Sequence, residues 1–320
     1  MAQFTIYRST DGSAPTVSGT AGDLTNLLDK CLADGYGSMA AAGWTKAYTA
    51  TNRRAYRNGT GSTQLYWRVR DDAGGTGGAK EALIRGYEAM TDVNTGTNPF
   101  PTNAQSALTD NSLIIRKSAT ADATTRPWIV VADAKTCYVF IQSGDQSNTY
   151  YAAAFGDFYS VVAADVWNAC LSARTLENSS GAGSADLDGF NINIVANNSF
   201  VNVGLCAART ASGAVGSQGY LRTSTWSQVF NGVSANTILA YPNPSDNSIY
   251  LSRVFLGQNA SVAGHLRGYF RGYWAWMHAL GVNDGDTFSG SGDLAGKTFL
   301  VIKNSPNQGL FIIETSNTLP

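Results

Sequence analysis

The feature that most constrains the fold of this 320-residue chain is a succession of short stretches separated by turn-forming residues. Four of them, separated by Asn, Gly, Asp or Ser, are Trp44–Tyr48, Arg53–Arg57, Leu65–Arg70 and Ala82–Tyr87. A period of two over a few residues is typical of half-buried strands. Many short strands with few helical stretches predict a mainly β fold, formally α+β, with antiparallel sandwich- or barrel-like sheets.

Two hairpins are predicted from paired apolar runs. Residues 128–132 and 137–142 flank a polar connection of four residues, which predicts a buried hairpin. Residues 298–303 and 310–314 flank a Pro- and Gly-containing turn, which predicts a hairpin at the end of the chain. The dipeptide Asn58-Gly59 favours a tight turn between two of the earlier strands.

One helix is predicted near residues 21–34. Its apolar face has the spacing i, i+3, i+4, i+7 and i+8, formed by Leu24, Leu27, Leu28, Cys31 and Leu32. Thr20 and Asp23 fit a capping pattern at its start, with a hydroxyl followed three residues later by a carboxylate. Gly35 and Gly37 are expected to end the helix.

A Gly- and Ser-rich stretch, Ser179–Ala185, is the best candidate for a linker or a surface loop. It divides the chain into a predicted N-terminal β-rich domain, residues 1–178, and a predicted C-terminal β-rich domain, residues 186–320. A single intertwined unit is the alternative.

Charged side chains are scarce. They form 14% of the chain, with a net charge of −1, against about 25% in typical soluble domains. Such a surface is poorly protected against self-association, which favours a subunit of an assembly. A secreted β protein rich in Gly, Thr and Asn is the alternative. The absence of a Lys/Arg cluster predicts no nucleic-acid partner. The absence of a long apolar run or leader predicts no membrane partner and synthesis in the cytoplasm.

Residues with the chemistry for metal binding or catalysis are few and scattered. The four cysteines have no CxxC spacing, and their apolar neighbours predict buried free thiols. His265 and His278 lack the spacing of metal ligands. No hydrolase nucleophile motif or nucleotide-binding loop is present. The sequence therefore predicts no catalytic residue, no metal site and no cofactor, and a protein that is not an enzyme.

Paired carboxylates are the exception considered for glycan hydrolysis, which needs two carboxyl groups across a cleft. The three candidate pairs are Asp71 with Asp72, Asp186 with Asp188, and Asp284 with Asp286. Asp188 and Asp284 each precede a glycine, and Asp-Gly is first of all a turn-forming sequence. The sequence therefore favours turns over catalysis at these positions.

Aromatic residues are concentrated near residue 270. Either a strand or a helix there needs burial on more than one side. Three roles remain open, namely a domain core, a subunit interface and a platform for stacking sugars. The candidate residues are Trp226, Tyr269, Phe270, Tyr273, Trp274 and Trp276.

Several distinctive segments together resemble a group of uncharacterised virion structural proteins from tailed bacteriophages of Gram-negative bacteria. They cover the first half of the chain and residues 266–303, whereas residues 179–241 match less clearly. The segments that carry the resemblance are Tyr7–Pro15, Asp34–Gly37, Ala40–Lys46, Arg85–Gly96, Pro99–Thr102, Arg126–Val130, Phe155–Phe158, Asp286–Gly290 and Leu294–Lys297.

The resemblance implies a particle component at the head, the neck or the tail, and it implies no catalytic residue. The expected function is that of a multi-copy assembly, decoration or tail-accessory protein of a virion, whose partners are other virion proteins and copies of itself. A host-surface carbohydrate-binding module is the alternative. A virion glycan hydrolase ranks third.

Overall fold

The computed structural model describes residues 4–145, 150–174, 205–213, 221–224, 242, 245–258, 265–276, 282–305 and 309–316. Strands account for 42% of it and helices for 9%. This confirms the predicted mainly β, antiparallel fold, and the described sheets are open, with no closed barrel.

The described strands follow one another closely in the chain. They are β1 (Thr5–Arg8), β2 (Thr45–Ala50), β3 (Arg53–Arg57), β4 (Tyr66–Arg70), β5 (Glu81–Tyr87), β6 (Ala89–Met90), β7 (Gly96–Thr97), β8 (Leu113–Arg116), β9 (Trp128–Ala132), β10 (Thr136–Ile141), β11 (Tyr151–Asp157), β12 (Tyr159–Ser160), β13 (Ala169–Ala173), β14 (Leu205–Ala208), β15 (Leu221–Ser224), β16 (Leu251–Gln258), β17 (His265–Trp276), β18 (Thr287–Ser289), β19 (Thr298–Ser305) and β20 (Gly309–Glu314).

These strands form three large sheets and one small ribbon. The central sheet has the order β1-β9-β10-β11-β13-β14. The N-terminal sheet has the order β2-β3-β4-β5-β8, and the C-terminal sheet has the order β15-β16-β17-β20-β19-β18, with β12 also paired to β17. Strands β6 and β7 form the ribbon. Both predicted hairpins are present, as β9–β10 and β19–β20.

The central sheet is covered on both faces. Along β9, Val130 and Ala132 point into a core shared with the N-terminal sheet, whereas Ile129 and Val131 point into a core shared with the C-terminal sheet. The same alternation separates the buried side chains of β10. Strands that are buried on both sides need apolar residues at every position. This explains why β9 is apolar throughout and why β10 and β11 are apolar except near Thr136 and Asp157 at their ends. The arrangement is a three-layered sandwich.

The predicted helix is present and packs into the core between the central and N-terminal sheets. It is α-helical over Asp23–Leu28 and π-helical over Asp29–Asp34, and Gly35 follows it with φ 78°. The five predicted apolar residues are all fully buried. Short 3₁₀ turns occur at Gly78–Lys80, Thr109–Asn111 and Gly292–Leu294.

The predicted capping of this helix is wrong. Gly22 occupies the N-cap position and no side chain of the first turn caps the helix. Instead, the Leu24 backbone N–H donates to Asp71 Oδ2 at 2.8 Å, from 47 residues further along the chain. Thr20 is used differently, since its carbonyl accepts a hydrogen bond from Lys117 Nζ at 2.6 Å.

The predicted domain boundary at residues 179–185 lies outside the described residues, and the two-domain division stays a prediction. Strand pairing joins the two sides of that boundary. Strand β14 extends the central sheet through the pair Leu171 and Ala207, and β12 pairs with β17 through Tyr159 and Tyr269. None of the described helices is long and apolar enough to cross a membrane.

Candidate functional site

The aromatic cluster near residue 270 is divided between two faces of β17. Phe270 and Tyr273 are buried in the core between the central and C-terminal sheets. Trp274 is buried on the opposite face of the C-terminal sheet, where it packs with Phe299. Tyr269 is half-buried. Trp226 lies outside the described residues, as does the side chain of Trp276.

A β-bulge produces this division. Between β16 and β17 the register passes from Arg253 opposite Trp274 to Phe255 opposite Tyr269, so Val254 alone faces four residues of β17. Gly272 has φ 60°, a left-handed conformation that glycine adopts without steric cost. The extra residues reverse the alternation, and Phe270 and Tyr273 therefore reach the same core.

Arg271, within this bulge, connects the C-terminal sheet to the central sheet. Its Nη1 and Nη2 donate to Asp133 Oδ1 at 2.9 Å and Oδ2 at 2.7 Å. Nη1 also donates to Thr136 Oγ1 at 2.8 Å. Both charged side chains are about 95% buried, with 3% and 5% exposure. A paired, two-pronged contact of this kind fixes the orientation of one sheet relative to the other.

A cleft of about 660 Å³ opens beside this ion pair. One side is formed by the loop before β4, the other by the segment after β11. Hydroxyl, carboxylate, amide and apolar groups share its lining, with the side chains of Ser62, Thr63, Lys135, Asp157, Tyr159, Ser160, Val162, Asp165, Val166, Asn168 and Arg271.

Asp157 lies at the inner side of the cleft and holds the loop before β4 in place. Its carboxylate accepts hydrogen bonds from Asn58 Nδ2 at 2.8 Å, from the Thr63 N–H at 3.0 Å and from Thr63 Oγ1 at 2.7 Å. Burial raises the pKa of Asp157 to about 6, although the bonds from Thr63 and Asn58 lower it. All three hydrogen bonds come from the protein itself and hold this loop in place.

The second carboxylate of the cleft is also fully engaged. Asp165 accepts two hydrogen bonds from Arg267, at 2.6 and 2.9 Å, and one from Ser160 Oγ at 2.7 Å. Burial alone would raise the pKa of Asp165, but the bonds from Arg267 and Ser160 bring it below its usual value. The ion pair ties the segment after β12 to β17.

Exposed apolar side chains are concentrated in one place, along the edge of this cleft and beside it. Seven large apolar side chains of the described residues are exposed, and five of them form a surface that we call the apolar rim. The backbone places the members together, since the Val161 N–H donates to the Arg267 carbonyl at 3.0 Å. The apolar rim consists of Tyr159, Val161, Val162, Val166 and Leu266, with exposures of 38, 50, 39, 66 and 52%.

The carboxylate pairs considered for glycan hydrolysis have separate structural roles. Asp71 is fully buried and forms an ion pair with Lys117, and burial raises the pKa of Asp71 to about 6 despite that ion pair. Asp72 pairs with Arg53 and Arg70. Asp286 accepts a hydrogen bond from the Asn283 N–H, which closes a turn at Gly285 with φ 83°.

The structure accordingly agrees with a turn at Asp284–Asp286. Asp284 accepts a hydrogen bond from Tyr150 at 3.5 Å. The interior position of Asp71 was missed, because a residue at the start of a Gly-rich stretch gives no sign of burial. Asp186 and Asp188 lie outside the described residues.

The four cysteines are free and buried, as predicted. Burial raises the pKa of the Cys31 and Cys137 thiols well above the ordinary value. Within the described ranges no group of three or more His, Cys, Asp or Glu side chains could hold a metal ion. His278 and the side chain of His265 are not among the residues described.

No protein-family model matches the chain, and no curated protein sequence matches it.

Proposed function

We propose that this protein is a non-enzymatic structural component of a tailed-bacteriophage virion, present in several copies and held by contacts with other virion proteins and with itself. The apolar rim is the observation that carries the proposal. Large contiguous apolar patches are rare on monomeric soluble proteins, and such patches mark sites of contact with another protein. The resemblance of the sequence to virion structural proteins supplies the identity of the assembly.

The rim has the composition expected of an assembly contact. Valine side chains at Val161, Val162 and Val166 lose little conformational entropy when they are covered, because β-branched side chains are already restricted. Each buried methylene contributes about 0.8 kcal/mol. Burial of the rim against a neighbouring subunit would therefore stabilise an assembly without requiring charged contacts. The low charge content of the chain, 14%, suits the same role.

The alternative, host-surface carbohydrate binding, has less support from the aromatic cluster. Phe270, Tyr273 and Trp274 are buried, and they are not accessible to a sugar in this fold. Tyr269 remains half-buried beside the exposed Tyr159. A glycan hydrolase has less support still, since the two cleft carboxylates, Asp157 and Asp165, accept hydrogen bonds from the protein itself.

The test is a comparison of variants of the apolar rim in phage particles. Val161→Asp and Val166→Asp are introduced into the phage genome, and the content of the protein in gradient-purified particles is measured by quantitative mass spectrometry. Ile249→Asp is the matched control, because Ile249 is 42% exposed and lies outside the rim. We expect the two rim variants to be depleted from particles and the control to be retained. Equal incorporation of all three variants would exclude the rim as the assembly contact.

A further inference from the structure

Four side chains form a continuous stack on the C-terminal sheet. The rings of Tyr159 and Tyr269 are stacked with their centroids 4.6 Å apart and their planes at 22°. The Arg253 guanidinium lies over the Tyr269 ring at 4.1 Å from its centroid and over the Trp274 ring at 4.5 Å. We call these four residues the Arg253 stack.

The fold places the Arg253 stack where a ligand could reach it. Tyr159 and Tyr269 are opposite each other on β12 and β17, and the bulge at Gly272 brings Trp274 to the same side of the sheet as Tyr269. Exposure increases along the stack, from Trp274 at 6% to Tyr159 at 38%. One end is therefore anchored in the protein, and the other is open.

The guanidinium of Arg253 has aromatic neighbours on two sides. In the part of the chain that the structure describes, no carboxylate or carbonyl accepts a hydrogen bond from its side chain. Arg267 and Arg271, by contrast, each bind a carboxylate through two hydrogen bonds. The nearby Glu314 is already engaged, with Lys297 and with Trp274 Nε1. Among the described residues, the Arg253 guanidinium is therefore held between aromatic rings and has no acidic hydrogen-bond partner.

From this arrangement we propose that the Arg253 stack binds a saccharide that carries a carboxylate or a phosphate. A guanidinium presents a planar set of N–H donors that matches either acidic group in a two-pronged contact. The exposed ring of Tyr159 offers apolar area for the C–H face of a sugar. The phenol hydroxyls of Tyr159 and Tyr269 form no hydrogen bond with the described residues, which leaves them for sugar hydroxyls.

We expect the ligand to place one acidic group against the stack, unlike a nucleic acid, which presents many phosphates. Polyanion binding needs several cations that follow the backbone, and the stack contains one. The site goes beyond the proposed assembly role, because a purified subunit would bind the saccharide without the particle. Tyr159 belongs to both the stack and the apolar rim, so burial of the rim in an assembly would cover the open end of the stack. The two tests stay distinguishable, because Val161→Asp and Val166→Asp lie outside the stack and the saccharide is offered to the free subunit.

The experiment is isothermal titration calorimetry of the purified full-length protein at low salt with three probes. Tetragalacturonate carries carboxylates, mannose 6-phosphate carries a phosphate, and maltotetraose is neutral. We expect binding of at least one acidic probe and none of maltotetraose. The probe that binds identifies the acidic group. Arg253→Gln should weaken binding about tenfold or more, as expected for the loss of a charge-assisted pair.

Two further variants keep the test decisive. Arg57→Gln is the matched control, because the Arg57 guanidinium lies 5.3 Å from the Tyr66 ring centroid while Nε donates to the Gln64 carbonyl at 2.9 Å. It should bind as the unmodified protein does. Tyr159→Ala removes only an exposed ring, and it replaces Arg253→Gln if that variant melts early. No binding of either acidic probe, equal binding of maltotetraose, or full affinity in the stack variants would overturn the proposal.

Discussion

Arg271 and Asp133 are 138 residues apart in the chain, and their side chains form a buried ion pair with two hydrogen bonds between the central and C-terminal sheets. The Arg271 carbonyl also accepts a hydrogen bond from Tyr138 Oη at 2.7 Å. The hydrophobic effect is non-directional, whereas a pair with two hydrogen bonds has one preferred geometry. We infer that it sets how the C-terminal sheet sits on the central sheet.

Arg271→Met should destabilise the protein strongly. The substitution leaves the Asp133 carboxylate buried without its cation, which costs roughly 3–5 kcal/mol when one partner of a buried pair is removed. Urea denaturation measures the change in the free energy of unfolding. Lys30→Met is the control, because Lys30 is 40% exposed and its pair with Asp34 is at 3.8 Å. That variant should lose less than about 1 kcal/mol. Equal stability of both variants would contradict the structural role of Arg271.

Asp157 should make stability fall as the pH rises from about 4 to 7. Its pKa is raised from 3.8 to about 6 in the folded protein, so the folded state holds a proton that the unfolded state releases. The contribution is present below the unfolded pKa and is lost as the pH passes the folded pKa. Asp157→Asn should reduce this fall by on the order of 1–3 kcal/mol. Urea denaturation of both proteins at several pH values tests this prediction. The same pH dependence of the free energy of unfolding in both would rule out the assignment.

Buried and exposed members of the aromatic region should respond differently to truncation. Tyr273→Ala and Trp274→Ala remove rings that are 2% and 6% exposed and should each cost roughly 3–5 kcal/mol. Tyr159→Ala removes a ring that is 38% exposed and should cost less than about 1 kcal/mol. Melting temperatures of the three variants give the comparison. An unchanged melting temperature for Trp274→Ala would place its ring outside the core.

The four thiols should be unreactive in the native protein. All are buried and free, and a buried thiol forms little of the reactive thiolate. Ellman's reagent should therefore react with them only after denaturation, and a reductant should leave the melting temperature unchanged. Fast reaction of a native thiol, or a lower melting temperature in reductant, would show that the environment of at least one cysteine differs from this description.

Local patterns were sufficient to predict the local elements. The spacing of Leu24, Leu27 and Leu28 identifies the helix because those residues are neighbours in the chain, and the runs around residues 133–136 identify β9 and β10 for the same reason. The continuous apolar runs also contained the information that a sheet is covered on both faces. The number of layers could not be derived, because it depends on which sheets meet.

Long-range polar contacts could not be predicted from the sequence. Asn58-Gly59 favoured a tight turn, yet Asn58 is buried and donates to Asp157, 99 residues away. Asp71 caps the helix at Leu24 and pairs with Lys117. Asn58 and Asp71 could each have formed a turn or a buried long-range contact. The partner that decides between these two roles is distant in the chain. The Arg253 stack was missed because its members come from β12, β16 and the bulge in β17, which are far apart in the chain.

The central claim, that this protein is a multi-copy structural component of a virion, is tested most directly by its copy number in purified particles. Quantitative mass spectrometry of gradient-purified virions, calibrated against the major capsid protein, gives that number. We predict several copies per particle, retained after a high-salt wash because the proposed contact is apolar. Absence of the protein from mature particles would contradict the account.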